Sequence, residues 1–108
     1  MGFARRSEAA ETDLRSIAFE IAYASRRAAL ADAIIDELIS QCEKLAEYSS
    51  ETQLGTTASE LGDGIRLFSH KRWVIIFRYQ PHGIDVLRIA DGCQAYPSWV
   101  LSTRVEDL

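Results

Sequence analysis

The spacing of apolar residues divides the chain into a helical first half and a β-rich second half. Leu14, Ile17 and Ile21 recur at three- and four-residue steps, which places them on one face of a helix. The stretch "RRAALADAIIDELISQCEKLAEYSS" repeats this spacing. Ser7 and Ser25 stand where each helix would need an N-cap. The pattern predicts two amphipathic helices with almost no connector, packed as an antiparallel hairpin.

The period of the pattern changes in the second half. "ETQLGTTASELGDG" has the composition of a loop that ends in a turn at Asp63 and Gly64. Three strands are then predicted in "IRLFS", "RWVIIFRYQ" and "IDVLRIA", with Leu87 and Ile89 on one face of the last. Their short connections indicate an antiparallel meander. "GFARR", near the start, predicts a further, weaker strand.

The predicted order of elements is therefore β-α-α-β-β-β, which defines an α+β fold. Two helices alone cannot cover their apolar stripes, so the sheet is expected to pack against the hairpin. The 108 residues suit a single domain over residues 1–108. Residues 97–108 show no clear period and are predicted to form a tail that either crosses the sheet edge or frays.

Charge is distributed unevenly along the chain. Its formal net charge is −4, yet the stretch from Arg66 to Arg88 holds five cations and one anion, Asp85. An acidic protein is poorly suited to coat nucleic acid, which relies on a broad basic field. No apolar run approaches the roughly 20 residues that a membrane span needs. These features predict a cytoplasmic protein that does not contact membranes.

The residue types that usually carry catalysis or metal binding are sparse. His70 and His82 fall in predicted turns and are expected to be solvated. Cys42 and Cys93 have no metal-like spacing and are predicted to be buried, reduced thiols rather than a disulfide. We therefore expect no metal and no cofactor.

The remaining chemical signal is a set of arginines around the most apolar strand. Side chains alternate along a strand, so Arg72 and Arg78 should share an outward face, with the aromatic set facing the helices. Antiparallel neighbours are expected to bring Arg66 and Arg88 near that face. Two interpretations stay open at this point. The arginines form a surface for phosphates or an acidic partner segment, or they are neutralised by surface carboxylates.

Three stretches of the chain resemble a known family in their order and spacing. "SEAAETDLRSIAFEIA", "AALADAIIDELISQCEKLAEYS" and "ELGDGIRLFSHKRWVIIFRYQPHGIDVLRIADG" are similar to the ParE branch of the RelE/ParE toxins of bacterial type II toxin–antitoxin systems. The likeness covers about residues 4–96. It implies a RelE/ParE-like fold with the helix hairpin packed on a curved antiparallel sheet. The matching positions are Ala9, Ala10, Asp13, Leu14, Ile17, Leu61, Gly64, Arg66, Phe68, Arg72, Trp73, Val74, Ile75, Phe77, Arg78, Leu87, Arg88, Ile89 and Gly92.

The resemblance also implies a function and two partners. ParE-type toxins poison DNA gyrase and are neutralised by a cognate antitoxin, so DNA would be contacted only through the antitoxin. The side chains expected to bind antitoxin or target are Arg66, Arg72, Arg78, Arg88, Tyr96 and Trp99. In this interpretation the protein is a binding poison and not an enzyme.

Two alternatives accompany this interpretation. RelE-type relatives cut messenger RNA on the ribosome, and a catalytic set would then be Arg72, Arg78, Arg88 and Tyr96. The net acidic charge favours the protein-binding toxin, because docking on RNA rewards a basic surface. The other alternative is a non-toxic relic that still binds antitoxin. It is motivated by Asp91, Gln94 and Ala95, which stand where the family often has His, Arg and Asp in a stretch associated with toxicity.

Overall fold

The computed structural model describes residues 2–48 and 53–91. It confirms the α+β fold and adds a short strand and a 3-10 turn within the predicted loop. The predicted tail, residues 97–108, lies outside the described residues. In chain order the elements are β1 (Phe3–Arg6), α1 (Glu8–Ser25), α2 (Ala28–Glu47), β2 (Thr56–Thr57), the 3-10 turn (Ser59–Leu61), β3 (Ile65–His70), β4 (Trp73–Gln80) and β5 (Gly83–Asp91).

The five strands form one sheet in the order β1-β5-β4-β3-β2. The last three strands make the predicted antiparallel meander, but β1 runs parallel to β5, from Phe3 opposite Gly83 to Arg6 opposite Val86. The sheet is thus mixed rather than wholly antiparallel. The helix hairpin and the strands β2 to β4 lie between β1 and β5 in the chain, which is more than the roughly dozen residues that a parallel pair requires. A Cβ on Gly83 would lie 2.2 Å from the Phe3 carbonyl oxygen, so this pairing depends on glycine there.

The two helices start differently. Ser7 caps α1 as predicted, its Oγ accepting the Ala10 N–H at 3.0 Å while donating to the Leu87 carbonyl at 2.8 Å. The predicted cap at Ser25 is wrong, because Ser25 is the last residue of α1 and its hydroxyl donates back to Ile21. Arg26 then adopts a left-handed conformation, with φ of 58°, and ends the helix. The chain therefore reverses before α2 without a side-chain cap.

The main core lies between the helix hairpin and one face of the sheet. Trp73, Ile75 and Phe77 of β4 pack there, which confirms the predicted orientation of the aromatic face. Their helical partners include Leu14, Ile17, Leu38, Cys42 and Leu45. Cys42 is fully buried, and burial raises the pKa of its thiol to about 12, so it is an unreactive core residue as predicted. Cys93 lies outside the described residues.

The opposite face of the sheet carries a second, smaller apolar cluster. Leu61 and Ala58, at the 3-10 turn, pack with Val74 and Ile76 of β4. We expected the sheet face that carries Arg72 and Arg78 to be open, and for the centre of that face this is wrong. The 3-10 turn covers the centre because burying apolar side chains is more favourable than exposing them to water.

A bulge in β5 changes which of its side chains face the helices. Ile76 pairs with Arg88 and Phe77 pairs with Val86, so Leu87 is an extra residue between them. As a result Ile89 joins the helix-side core while Leu87 joins the second cluster. The prediction that these two residues share a face is wrong, because one inserted residue reverses the alternation beyond it.

Among the described residues, neither helix is apolar enough along its length to cross a lipid bilayer.

Candidate functional site

Arg66 holds the segment before β2 and does not join a common basic surface. It lies opposite Phe77 in the β3–β4 register, so its side chain is on the helix side of the sheet. Its guanidinium donates to the backbone carbonyls of Leu54 at 2.7 Å and Gly55 at 3.0 Å. The Tyr79 hydroxyl accepts the Leu54 N–H at 2.9 Å. The predicted proximity of Arg66 to the Arg72–Arg78 face is therefore wrong.

Arg88 is committed to an internal ion pair with α1. Its Nε and Nη2 donate to the two carboxylate oxygens of Asp13 at 2.8 and 3.0 Å. Asp13 also accepts the Ile89 N–H at 2.9 Å, so one carboxylate joins α1 to β5 through three hydrogen bonds. The exposed fractions of the two side chains are only 17% and 14%. Arg88 therefore contacts α1 and does not join the expected outer surface.

Arg72 lies at the β3–β4 turn and pairs with Asp91 at the end of β5. Its guanidinium carbon is 5.6 Å from the centre of the Trp73 ring, which adds a cation–π contact. Arg72 and Trp73 line a cleft beside the C-terminal half of α1 that includes Glu20. Asp91, one of the departures from the family pattern, thus has a structural role as a partner of Arg72.

Arg78 differs from the other three arginines. Within the described part of the chain, its side chain makes no hydrogen bond or ion pair, and its buried Nε lacks a partner. It lies opposite Ile65 and Asp85, on the face away from the helices. The Asp85 carboxylate does not reach Arg78, because it accepts from Arg5 at 3.0 Å and lies 2.9 Å from His82 Nε2. Gly64 lies beside the aliphatic part of the Arg78 side chain. A Cβ placed on Gly64 would be 3.6 Å from Arg78 Cγ, an ordinary van der Waals contact.

Both described histidines have carboxylate partners, so the expectation of solvated histidines is wrong. His82 contacts Asp85, and its ring lies tilted against that of Phe3, with centroids 4.8 Å apart. His70 Nε2 lies 2.6 Å from Glu37 Oε1, and Lys71 Nζ lies 2.8 Å from the same oxygen. The Glu37 contacts join α2 to the β3–β4 turn. Such a pair could not be predicted from the sequence pattern, because Glu37 and His70 are 33 positions apart.

The pKa of Glu37 is lowered from 4.5 by hydrogen bonds from Lys71 and then from His70. A carboxyl group whose pKa is lower in the folded than in the unfolded state stabilises the folded protein at a pH above its unfolded-state pKa. This stabilisation is lost as the pH falls through the folded-state pKa. We expect Glu37→Gln to lower the melting temperature modestly at pH 7. The difference from wild type should shrink below about pH 4.5. Thermal melts across this pH range check the prediction, and a difference that grows on acidification would contradict it.

The four predicted arginines therefore make separate contacts and do not form one basic surface. Tyr96 and Trp99 lie outside the described residues, and Arg66, Arg72 and Arg88 each have internal partners. Within residues 2–48 and 53–91, no three metal-ligating side chains converge. The helical pattern did not predict that Asp13 would join α1 to β5. Its place in the family pattern was the only sign in the sequence that it has a role. Of the four predicted arginines, Arg78 is the one without a partner among the described residues, and its guanidinium is able to bind an anionic group of a partner protein.

Comparison with known proteins agrees with this architecture. A family model described as "ParE toxin of type II toxin-antitoxin system, parDE" matches residues 4–96. A solved structure titled "Chromosomal ParDE TA system from P. aeruginosa" is similar in fold, with a TM-score of 0.70 and 18% identity, covering 84% of this chain and 96% of that one. The search of curated proteins found no significant match. Because the family model spans most of its length, the chain belongs to the ParE toxin family of type II toxin–antitoxin systems.

Proposed function

We propose that this ParE-type toxin inhibits DNA gyrase and is neutralised by a cognate antitoxin that places a carboxylate on Arg78. Membership of a toxin–antitoxin family implies the antitoxin partner. The observation that carries the binding site is the buried Arg78 Nε, which has no partner among the described residues. Gyrase is proposed as the target by family analogy, and the cytoplasm as the place of action.

The contacts explain why Arg78 suits an anionic ligand. A buried donor without a partner carries a desolvation penalty of about 1–3 kcal/mol, which an incoming acceptor removes. A carboxylate can accept from the guanidinium in a bidentate, charge-assisted arrangement, the strongest class of hydrogen bond in proteins. Asp85, directly opposite in register, is held by Arg5 and His82 and so does not compete for Arg78.

The contacts give less support to a ribosome-dependent nuclease. A cationic active site would stabilise the charge that develops on the scissile phosphate. Arg72 and Arg88, two members of the expected catalytic set, instead form ion pairs with Asp91 and Asp13. Among the described residues, Arg78 would supply one cation without a hydrogen-bonded acid or base beside it.

The proposal is tested by expressing the toxin without antitoxin and by adding the purified protein to gyrase and supercoiled DNA. We expect growth arrest with halted replication, and accumulation of cleaved gyrase–DNA complexes. Co-expression of the antitoxin from the neighbouring reading frame is the control and should restore growth. Growth arrest with continuing replication and codon-positioned cuts in messages would identify the nuclease instead. Unaffected growth would favour the relic.

A further inference from the structure

The side of α1 that faces away from the sheet carries a line of exposed side chains. They recur at three- and four-residue steps, so they lie on one face of the helix. We call this line the α1 crest; its members are Thr12, Arg15, Ser16, Phe19 and Tyr23. The crest is on the helix side of the protein, whereas Arg78 lies on the opposite face of the sheet. It is therefore a surface separate from the proposed antitoxin contact.

Two aromatic rings form the most exposed apolar part of the crest. Phe19 and Tyr23 are stacked, with centroids 6.2 Å apart and an interplanar angle of 16°. Their exposed fractions are 71% and 79%, which is far more than large apolar side chains usually show unless a partner covers them. Exposed aromatic side chains of this kind are typical anchors of protein interfaces.

The chemistry of the crest is arranged symmetrically about Phe19. Tyr23 follows Phe19 by four residues, and Arg15 precedes it by four. The Arg15 guanidinium donates to the Thr12 hydroxyl at 3.2 Å and makes no ion pair within the described part of the chain, so its charge is available. At three residues on either side of Phe19 the side chains are small, since Ser16 and Ala22 stand there. A cation on one side of the centre is thus matched by an electron-rich ring on the other.

We infer that the α1 crest binds the α1 crest of a second copy of this chain, antiparallel and about a two-fold axis at Phe19. In such an interface residue i of one copy meets residue j of the other, and j meets i. Phe19 would therefore pack on its own counterpart, and each Arg15 would lie over the Tyr23 ring of the other copy as a cation–π pair. Ser16 would meet Ala22, and these small side chains let the two helices approach closely.

The size of the crest sets the strength of this self-association. One helix from each copy buries less than the roughly 1,200–2,000 Å² of a standard stable interface. The net charge of −4 on each copy also opposes association. The inferred dimer is therefore a weak one, formed by the free protein in the micromolar range of concentration and dissociated on dilution.

Sedimentation equilibrium of the full-length protein across the micromolar range tests the inference. We expect the average mass to rise with concentration from that of a monomer toward twice that value. Phe19→Ser should weaken association about tenfold or more, whereas Tyr48→Ser, which removes an exposed aromatic ring at the end of α2, should not. Arg78→Met should also leave association unchanged. A monomer at every concentration, or equal effects of Phe19→Ser and Tyr48→Ser, would overturn the inference.

Disulfide cross-linking locates the two-fold axis. In a Cys93→Ser background, Phe19→Cys should form a covalent dimer under a mild oxidant, because position 19 meets its own counterpart. Tyr23→Cys is the matched control. Its two copies would be about 12 Å apart along the helices, which is beyond the roughly 7 Å between Cα atoms that a disulfide spans. Equal cross-linking at both positions, or cross-linking at position 23 alone, would refute the inferred antiparallel arrangement.

Discussion

Replacing Arg78 by glutamate is expected to weaken antitoxin binding by about 100-fold or more. Truncating one member of a desolvated charge pair at an interface typically lowers the binding free energy by about 2–5 kcal/mol, and charge reversal adds repulsion. Arg78 has this role in our proposal because its buried Nε has no partner among the described residues. Titration calorimetry or surface binding with the purified antitoxin measures the effect. The residual binding should also be less sensitive to salt.

The control for Arg78→Glu is Arg27→Glu, which makes the same charge change at an exposed position between the helices. It should change antitoxin affinity only slightly. Equal losses for the two variants would show that net charge, and not the Arg78 contact, governs binding. An affinity unchanged by Arg78→Glu would remove Arg78 from the interface.

Arg78→Met separates a binding defect from a folding defect. Methionine keeps an apolar stem against Gly64 but removes the buried donor. We therefore expect the free toxin to be as stable as wild type, or more stable by about 1 kcal/mol, while antitoxin affinity falls. Arginine at this position would then serve binding and not folding. A clearly destabilised Arg78→Met protein would contradict that conclusion.

Replacing Asp13 by alanine is expected to lower the free energy of unfolding by about 3–5 kcal/mol. Removing one partner from a mostly buried ion pair is strongly destabilising, and here Arg88 loses its two hydrogen bonds to Asp13. The Ile89 N–H loses its acceptor as well. For a domain of this size we expect the melting temperature to fall by on the order of 15 °C. Circular dichroism melts of the purified toxin measure it.

Arg5→Met is the comparison for Asp13→Ala, because Arg5 makes a similar two-point contact with Asp85 at the surface. The Arg5 side chain is 65% exposed, so its loss should lower stability by less than about 1 kcal/mol. Asp13→Asn should fall between the two, since it keeps an acceptor for the Ile89 N–H. If Asp13→Ala were no worse than Arg5→Met, burial of the Asp13–Arg88 pair would not be what stabilises the contact between α1 and β5.

The helices and the meander could be predicted because their information is local. The three-residue step from Leu14 to Ile17 and the four-residue step from Ile17 to Ile21 identify one face of a helix wherever the helix lies. Alternation along "RWVIIFRYQ" likewise separated Trp73, Ile75 and Phe77 from their neighbours, and those side chains do face the helices. Short connections then restricted β3, β4 and β5 to antiparallel pairing.

The candidate site could be predicted only in part, because the arginines differ in their partners and not in their sequence pattern. Arg66 donates to backbone carbonyls, Arg88 to a carboxylate 75 positions away, and Arg72 to Asp91. These partners are separated along the chain and meet only in the folded protein, as when α1 packs on the sheet and brings Asp13 to Arg88. No periodicity encodes such contacts, so the expected single basic surface was wrong.

Amino-acid order alone was enough to specify an acidic α+β protein of the ParE type, because hydrophobic period, turn residues and motif spacing are properties of neighbouring positions. Tertiary structure decided that β1 runs parallel to β5, that a turn covers the centre of the far sheet face, and that Arg78 has no partner among the described residues. Those outcomes depend on which distant groups come within hydrogen-bonding distance. That distance is set by the packed chain and not by its local pattern.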